Sequence, residues 1–227
     1  MKPKISVLTT VYNGERYLEE TIKSVLNQTF KNFEYIIVDD GSTDKTKEII
    51  KKFEKKDSRI KYFYYGKNKG YFNLHNVINK GLDVAKGKYV ARLDADDICH
   101  KDRLRIQHNY LERHKDIFIV GSSAEVIDKN GNKIGFMKKK PWPSWFLKLI
   151  IGFNNPFIHS SIMFRNENLR YPYHNEHFFY FNALVNEKKL KNMVFPLIKY
   201  RINPEGVMSK YAKLEKGKYG SLWRRKD

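Results

Sequence analysis

Residues 88–97 read KYVARLDADD, in which a mostly apolar run is followed by three aspartates within four positions. The run predicts a β-strand, and Asp94, Asp96 and Asp97 come directly where that strand should end. The rest of the chain is strongly basic, with 44 Lys and Arg against 25 Asp and Glu and a formal net charge of +19. A cluster of scarce acids at a strand end therefore needs an explanation.

Composition narrows the class of protein. The 227 residues include 41% hydrophobic and 15% aromatic side chains, enough to build a core, so we expect a folded chain. The single cysteine cannot form an internal disulfide, which favours a reducing compartment. The sequence contains no apolar stretch near 18 residues and no signal-peptide pattern, so we expect a cytoplasmic protein.

Strand-like and helical segments alternate through the first hundred residues. The predicted strands are ISVLTTVYN (5–13), FEYIIVDDGS (33–42), RIKYFYYG (59–66) and KYVARL (88–93). This alternation predicts an α/β fold with a mostly parallel sheet. Ligands bind beyond the carboxyl ends of such strands, so the loops VDDGS and LDADD are expected to face one crevice.

The second half of the chain has a different order of elements. A predicted helix (101–114) precedes a hairpin formed by residues 117–128 and 132–137. A strand over HSSIMFR (159–165), a helix (176–189) and a final strand (193–202) follow. We therefore expect an antiparallel element here.

The acid loops allow two interpretations from the residues alone. Their carboxylates can hold a hard divalent cation or hydrogen-bond a sugar or base. Alternatively, they are helix caps and solvated turn residues. A cation would explain the cluster, because like charges this close raise one another's pKa unless positive charge lies between them.

Four segments together resemble the family 2 glycosyltransferases, over about residues 3–205. They are TTVYNGERYLEETIKSVLNQTF (9–30), EYIIVDDGSTDKT (34–46), AKGKYVARLDADD (85–97) and DRL (102–104), with NPFIHSSIMFR (155–165) downstream. The resemblance implies a GT-A fold, in which helices flank a Rossmann-like, mostly parallel sheet and a small antiparallel element lies in the acceptor half. It implies one domain over 1–205, with a nucleotide-binding half (1–100), an acceptor half (101–205) and a basic tail (206–227).

The resemblance also implies an activity. Such enzymes transfer a sugar, with inversion, from a nucleotide diphosphate donor, here expected to be UDP-linked, to a glycan or lipid-linked acceptor. Surface polysaccharide synthesis is the expected setting. The expected cofactor is Mn²⁺ or Mg²⁺, which oxygen-only ligands also suit.

Residue roles on the nucleotide side follow from the same resemblance. Thr9 and Tyr12 are expected on the loop after the first strand, where they line the nucleotide pocket. Asp40 matches the residue that hydrogen-bonds the base, and Asp39 supports its loop.

Further roles fall on the second acid loop and downstream. Asp96 matches the metal ligand, and Asp94 matches its partner near the ribose and metal. Asp97 is expected to support the site or face the donor sugar. His159 corresponds to a histidine near the donor phosphate or the acceptor.

The sequence departs from the family where the catalytic base is expected. The family's Glu-Asp-Tyr-Asp-like motif aligns with NEHFFYFNAL (175–184), where Glu176 matches the Glu, but His177 and Phe179 replace the two aspartates. Three interpretations remain open: His177 is the base, Glu176 has taken over that role, or the protein binds a nucleotide sugar and transfers it slowly or not at all.

The segment KKKPWPSWFLKLIIGF (138–153) mixes lysines with large apolar residues. Peripheral contact with the inner face of a membrane is one interpretation, and packing over the acceptor side of the sheet is the other. The charge also raises nucleic-acid binding, but no recognition motif accompanies it, so we expect no nucleic-acid partner. A sugar-1-phosphate nucleotidyltransferase would need a Gly-rich, basic phosphate loop, which TTVYNGERY lacks.

Overall fold

Strands and helices alternate in the computed structural model, which describes residues 2–68, 70, 73–151, 155–167, 169–172 and 176–203, without the side chains of 148, 176–178, 181 and 185. The strands are β1 (Ile5–Val11), β2 (Phe33–Asp39), β3 (Ile60–Tyr64), β4 (Tyr89–Arg92), β5 (Ile98–Cys99), β6 (Ile117–Ile127), β7 (Lys133–Met137), β8 (Met163–Arg165) and β9 (Lys189–Arg201). The helices are α1 (Leu18–Leu26), α2 (Thr46–Glu54), α3 (Leu74–Val84), α4 (Arg103–Arg113), α5 (Ser144–Ile150) and α6 (Glu176–Val185).

The first four strands form the parallel part of one sheet, in the order β3-β2-β1-β4. Every residue of β2 and almost every residue of β1 is buried, as is typical of parallel strands covered on both faces. The predicted alternation and parallel sheet are confirmed for this half.

The sheet continues from β4 as β8-β6-β9-β5, with β7 paired to β6. β8 is antiparallel to both β4 and β6, whereas β9 is parallel to β6. β6 and β7 form the predicted hairpin. The predicted strand over 159–165 is wrong in its first part, because His159–Ser161 form a 3-10 turn. The last strand begins at Lys189, earlier than expected.

Helices cover both faces of the sheet with separate apolar cores. On one face, α1, α2 and α4 contribute buried residues, which include Leu18, Ile22, Ile50, Leu104 and Leu111. On the other, α3, α5 and α6 contribute residues that include Val77, Leu82, Leu147, Phe179 and Leu184. This two-sided burial leaves the strand ends as the place where polar side chains can gather.

Within the described ranges, no helix is long and apolar enough to cross a membrane.

Candidate functional site

The two acid loops meet at one edge of the sheet because β1 lies between β2 and β4. Val11 at the end of β1 lies opposite Asp39, and Leu8 lies opposite Arg92. The loops after β1, β2 and β4 therefore emerge side by side. The two loops that are predicted to face one crevice therefore lie at the same edge of the sheet.

Reciprocal hydrogen bonds join the loop after β1 to the loop after β2. The backbone N–H of Asn13 donates to the Ser42 hydroxyl at 2.9 Å, and the Asn13 side chain accepts from the Thr43 N–H at 2.8 Å. Asn13 has a positive φ of 51°, which asparagine tolerates better than most residues. The Gly14 N–H donates to the Thr46 hydroxyl at 2.8 Å.

Gly41 allows the loop after β2 to approach the segment after β3. Its φ is +79°, and a Cβ atom at this position would lie 2.1 Å from the carbonyl oxygen of Gly66. Both the backbone conformation and the contact therefore require glycine. This close approach brings Asn68 beside Asp40.

Asp39 and Asp40 are both buried and have different environments. The Asp39 carboxylate accepts from the Ser42 N–H at 2.9 Å and from the Tyr62 hydroxyl at 3.1 Å, so it holds its own loop. Asp40 accepts from the Asn68 amide at 2.6 Å through Oδ2. Its Oδ1 is buried and has no hydrogen-bond partner within the described ranges.

The pKa of Asp40 is raised to about 6, first by burial and then by the negative charge of Asp39, while the Asn68 hydrogen bond lowers it. A buried acceptor atom without a partner is expensive unless a ligand supplies the donor. Asp40 is therefore suited to receive an N–H from a ligand.

The three aspartates after β4 take up distinct positions. The Asp94 carboxylate is 37% exposed and accepts from the Arg92 guanidinium at 3.0 Å. The pKa of Asp96 is raised to about 6 by burial and by the charge of Asp94. Asp97 is 1% exposed, and its Oδ1 accepts from the backbone N–H of Arg201 at 2.8 Å.

Burial raises the pKa of Asp97 well above its usual value, and the charges of Asp96 and Asp94 add to this effect. A carboxylate in this position favours a role in holding the loop over direct contact with a donor.

Side chains from four parts of the chain hold the backbone carbonyls of the acid loop. Thr9 donates to Leu93 at 2.8 Å, Arg103 to Arg92 at 2.6 Å, Thr21 to Ala95 and Asp97 at 2.9 Å each, and Arg201 to Asp96 at 2.9 Å. A loop whose carbonyls are fixed in this way is pre-organised, so its carboxylates need little reordering when a ligand binds.

Two buried arginines lie beneath the loop. Arg92 is 1% exposed and donates to the Leu8 carbonyl at 2.6 Å as well as to Asp94. Arg103 is fully buried and also donates to the Ile162 carbonyl at 3.1 Å. These contacts give the DRL segment (102–104) a structural role, which sequence analysis left unassigned.

Asp94 and Asp96 are the residues that fit a divalent metal ion. Both offer only oxygen atoms, and burial, followed by the charge of Asp94, raises the pKa of Asp96, so a bound cation would stabilise its ionised form. No group of three or more His, Cys, Asp or Glu side chains suited to a metal occurs among the described residues. Two carboxylates suit an ion that completes its coordination with water and phosphate oxygens, as Mg²⁺ commonly does.

Thr9 does not lie where sequence analysis expected it. It is inside β1 and fully buried, and its hydroxyl is 3.1 Å from the Tyr35 hydroxyl and bonded to Leu93. It therefore positions the acid loop from below and does not line a pocket. Tyr12, directly after β1, is 45% exposed and free to offer its ring face to a ligand.

His159 lies in the 3-10 turn before β8 and is 8% exposed. Its Nε2 is 2.9 Å from the Tyr171 hydroxyl. Burial, with the nearby Arg92 charge, holds the pKa of His159 well below its usual value, so the ring is neutral. The adjacent Ser160 hydroxyl accepts from the Asp94 N–H at 2.9 Å, which links this turn to the acid loop.

The expected catalytic base lies at the start of α6. Glu176 is the first residue of this helix, and the side chains of Glu176 and His177 lie outside the described residues. Phe179 is fully buried, and its ring stacks on that of Tyr171 with centroids 4.1 Å apart and planes 5° apart. The position of the family's second acid is thus part of the apolar core.

Arg201, Asn68 and Thr21 contribute to the site but were missed by sequence analysis. Arg201 is the last residue of β9, far from the acid loop in sequence, and only its contacts in space reveal its role. Asn68 bonds Asp40, and Thr21 bonds the carbonyls of Ala95 and Asp97, and these contacts leave no recognisable pattern in the sequence.

Comparisons with known proteins agree with this geometry. An uncharacterized glycosyltransferase of Methanocaldococcus jannaschii is 34% identical over 238 residues, which cover 99% of this chain and 81% of that protein. TuaG of Bacillus subtilis, named for teichuronic acid biosynthesis, is 44% identical over 110 residues, which cover 48% of this chain and 42% of that protein.

A solved structure of S. aureus TarS 1-349 in complex with UDP-GlcNAc superposes with a TM-score of 0.74 at 22% sequence identity. The match covers 91% of this chain and 60% of that one, and it confirms the predicted GT-A type of fold. The model of the family described as glycosyl transferase family 2 matches residues 6–212. The chain therefore belongs to glycosyl transferase family 2 and is an enzyme that transfers sugars.

Proposed function

We propose that the protein is a metal-dependent, inverting glycosyltransferase that uses a UDP-linked sugar and acts in surface polysaccharide synthesis. The observation that carries this proposal is that carboxylates lie on both sides of β1, in the loops after β2 and β4. Asp40, with its unpartnered Oδ1, follows β2, and the Asp94–Asp96 pair follows β4.

Asp40 is the proposed base-reading residue. Its Oδ2 is occupied by Asn68, which leaves Oδ1 to accept the ring N–H of a uracil. The exposed ring of Tyr12 offers a stacking surface beside it. Asp39 holds the loop and does not contact the donor, because Ser42 and Tyr62 occupy its two oxygens.

Asp94 and Asp96 would hold a Mn²⁺ or Mg²⁺ ion, which supplies positive charge to the leaving diphosphate. Arg92 fixes the Asp94 carboxylate from below, and Arg201 and Thr21 fix the backbone around Asp96. Asp97 and Thr9 act as positioning residues of the same loop. His159, neutral and bonded to Tyr171, supports the turn that contacts Asp94.

The acceptor hydroxyl needs a group that accepts its proton. His177 and Glu176, at the start of α6, are the proposed candidates for this general base. The whole reaction is proposed for a domain over residues 1–205. The acceptor is proposed to be a glycan or a lipid-linked sugar, in keeping with the teichuronic acid pathway for which TuaG is named.

A thermal-shift screen of nucleotide sugars, with and without Mn²⁺, tests the donor. A shift with UDP that requires the metal is the expected result, and indifference to every nucleotide would count against the proposal. Released UDP, measured for wild type, His177→Ala and Glu176→Ala, tests the base. If one variant no longer releases UDP but still binds UDP, the residue substituted in that variant is the general base.

A second candidate function is a nucleotide-sugar-binding protein that transfers slowly or not at all. It is favoured by Phe179, which occupies the position of the family's second acid and is buried in the core. Tight, metal-dependent UDP binding without UDP release from any donor sugar would support this candidate.

A further inference from the structure

One surface of the acceptor half exposes apolar and basic side chains in a regular arrangement. Ile134 and Phe136 on β7 are 57% and 51% exposed, and Lys138 and Lys140 continue the same alternation as exposed residues. Alternate residues of an extended chain point to the same side. Phe136, Lys138 and Lys140 therefore form a stripe, whereas Ile134 lies at a register shift of the β6–β7 hairpin, where the alternation is interrupted.

The register of the hairpin shows on which face of the sheet the stripe lies. Phe136 is opposite Glu125 of β6, so both side chains point to the same face. Ser123, two residues earlier on β6, shares that face, and its hydroxyl accepts from the Lys139 N–H at 2.9 Å. The chain after β7 thus crosses this face on its way to α5.

Helix α5 packs on the same face of the sheet, against β9 and α6. Leu147 is fully buried in the core that also contains Phe118 and Phe164, whereas Trp145 and Leu149 are 66% and 62% exposed. Residues four apart lie on one side of a helix, so Trp145 and Leu149 point away from the sheet together. We call Phe136, Lys138 and Lys140, together with Trp145 and Leu149 of the helix that follows in the chain, the lysine-aromatic face.

Positive charge predominates around this face. Residues 133–151 contain five lysines and no aspartate or glutamate. Glu125, on the same face of the sheet, is already paired with Lys133 at 3.4 Å and Lys199 at 3.8 Å. The Lys133 ammonium lies 4.1 Å from the centre of the Phe136 ring. Apolar side chains that enter a bilayer interface, with lysines that contact its anionic headgroups, have this composition.

We propose that the lysine-aromatic face binds the surface of an anionic lipid bilayer. β6 runs parallel to β4, since β8 is antiparallel to both, so the β6–β7 turn lies at the sheet edge that carries the acid loop. Arg201 joins the two, with donations to the carbonyls of Asp96 and Asp128. An enzyme bound in this way would have its donor site beside lipid-linked acceptors. This consequence rests on the proposed function.

Vesicle flotation of the purified full chain tests this surface. Wild type should bind vesicles of phosphatidylcholine mixed with phosphatidylglycerol, bind phosphatidylcholine alone weakly, and dissociate at high salt. Lys138→Gln/Lys140→Gln should weaken binding by roughly 25-fold, at about fivefold for each lysine. Trp145→Ser/Leu149→Ser should weaken it by at least about tenfold.

Matched controls lie elsewhere on the molecule. Lys55→Gln/Lys56→Gln removes the same charge just after α2, which packs on the opposite face of the sheet. Tyr64→Ser removes a 60% exposed aromatic ring from β3, at the other end of the sheet. Both control variants should bind vesicles as wild type does.

Three results would overturn the proposal: equal binding to both kinds of vesicle, no binding, or losses in the controls as large as in the test variants. A concentration-dependent dimer that Trp145→Ser/Leu149→Ser abolishes, without vesicle binding, would assign the face to a second copy of the chain instead. UDP binding with Mn²⁺ is measured on the same variants. If wild type binds anionic vesicles but no nucleotide, the membrane surface is supported and the proposed donor is wrong.

Discussion

The guanidinium Nε of Arg201 donates to the backbone carbonyl of Asp96 at 2.9 Å. Arg201 is the last residue of β9, so this strand fixes the backbone of the acid loop where the metal ion is proposed to bind. The backbone N–H of the same arginine donates to Asp97, and its side chain also contacts Asp128 and Glu20. Arg201 is 4% exposed, and its removal would leave the carbonyls of Asp96 and Asp128 without this donor, whereas the 55% exposed Glu20 carboxylate can bind water instead.

Arg201→Met should therefore destabilise the fold and disorder the acid loop. Carbonyls left without a donor cost about 1–3 kcal/mol each, so we expect a loss of about 3 kcal/mol in the free energy of unfolding. Metal-dependent UDP binding should weaken as well. Arg105→Met is the matched control, since its ion pair with Asp102 is exposed and screened by solvent. Equal losses in both variants, measured by denaturant unfolding, would contradict this role.

Asp96→Asn and Asp97→Asn should have different effects although the residues are neighbours. Asp96→Asn should abolish the metal-dependent UDP shift and lower turnover at least ~100-fold, since even indirect partners of metal ligands contribute ~10–100-fold. Asp97→Asn retains an acceptor for the Arg201 N–H and removes a buried charge, so the protein should stay folded and active. Loss of UDP binding in Asp97→Asn alone would assign Asp97 a direct contact with the donor.

Asp40→Asn should stabilise the ligand-free protein at neutral pH while it weakens nucleotide binding. The pKa of Asp40 rises from 3.8 to about 6 on folding, so the native state holds the proton more tightly than the unfolded state does. The ionised carboxylate therefore costs stability above pH 6, on the order of 1–2 kcal/mol, and this cost disappears as the pH falls from about 6 to about 4.

The difference in melting temperature between Asp40→Asn and wild type checks this sign. It should be positive at pH 8 and should vanish near pH 4. Asp83→Asn is the control, because the Asp83 side chain is 56% exposed and its charge remains solvated on folding. A difference for Asp40→Asn that does not change with pH would show that the charge of Asp40 is not its cause.

Gly41→Ala should destabilise the protein and impair UDP binding. The alanine Cβ would lie 2.1 Å from the Gly66 carbonyl oxygen, and the residue would keep a φ of +79°. Together these effects should cost at least ~2 kcal/mol. Gly135→Ala is the matched control, because no atom lies within 4 Å of its Cβ position. Equal melting temperatures for the two variants would show that the β2 loop can move away from Gly66.

Periodicity predicted the strands and helices that position the site. Long apolar runs such as those of β1 and β2 have a strong pattern, and the acids that follow them mark the binding edge. The two residues of β5 form no pattern, so that strand is visible only through its pairing with β9. The antiparallel direction of β8 is likewise not predictable from its own sequence, because it is defined only by pairing with β4 and β6.

The sequence predicts the site residues that belong to a motif, but not those that reach the site from distant parts of the chain. Thr9 is expected to line the nucleotide pocket, because the sequence does not show which side chains are buried at the end of a strand. Arg92 and Arg103 resemble surface arginines in sequence, although both are buried beneath the acid loop. Phe179 stands where the family motif has an aspartate, and in the structure its ring stacks on that of Tyr171.

The bond between Arg201 and Asp96 also has a consequence for the order in which the chain folds. The two residues are 105 positions apart, and the parallel strands β1 to β4 are synthesised long before β9. The Rossmann-like half can form early, but the acid loop lacks one of its carbonyl donors until the last strand pairs with β6 and β5. Contacts of such long sequence separation form slowly, so we expect the native metal loop to be among the last parts of the protein to form.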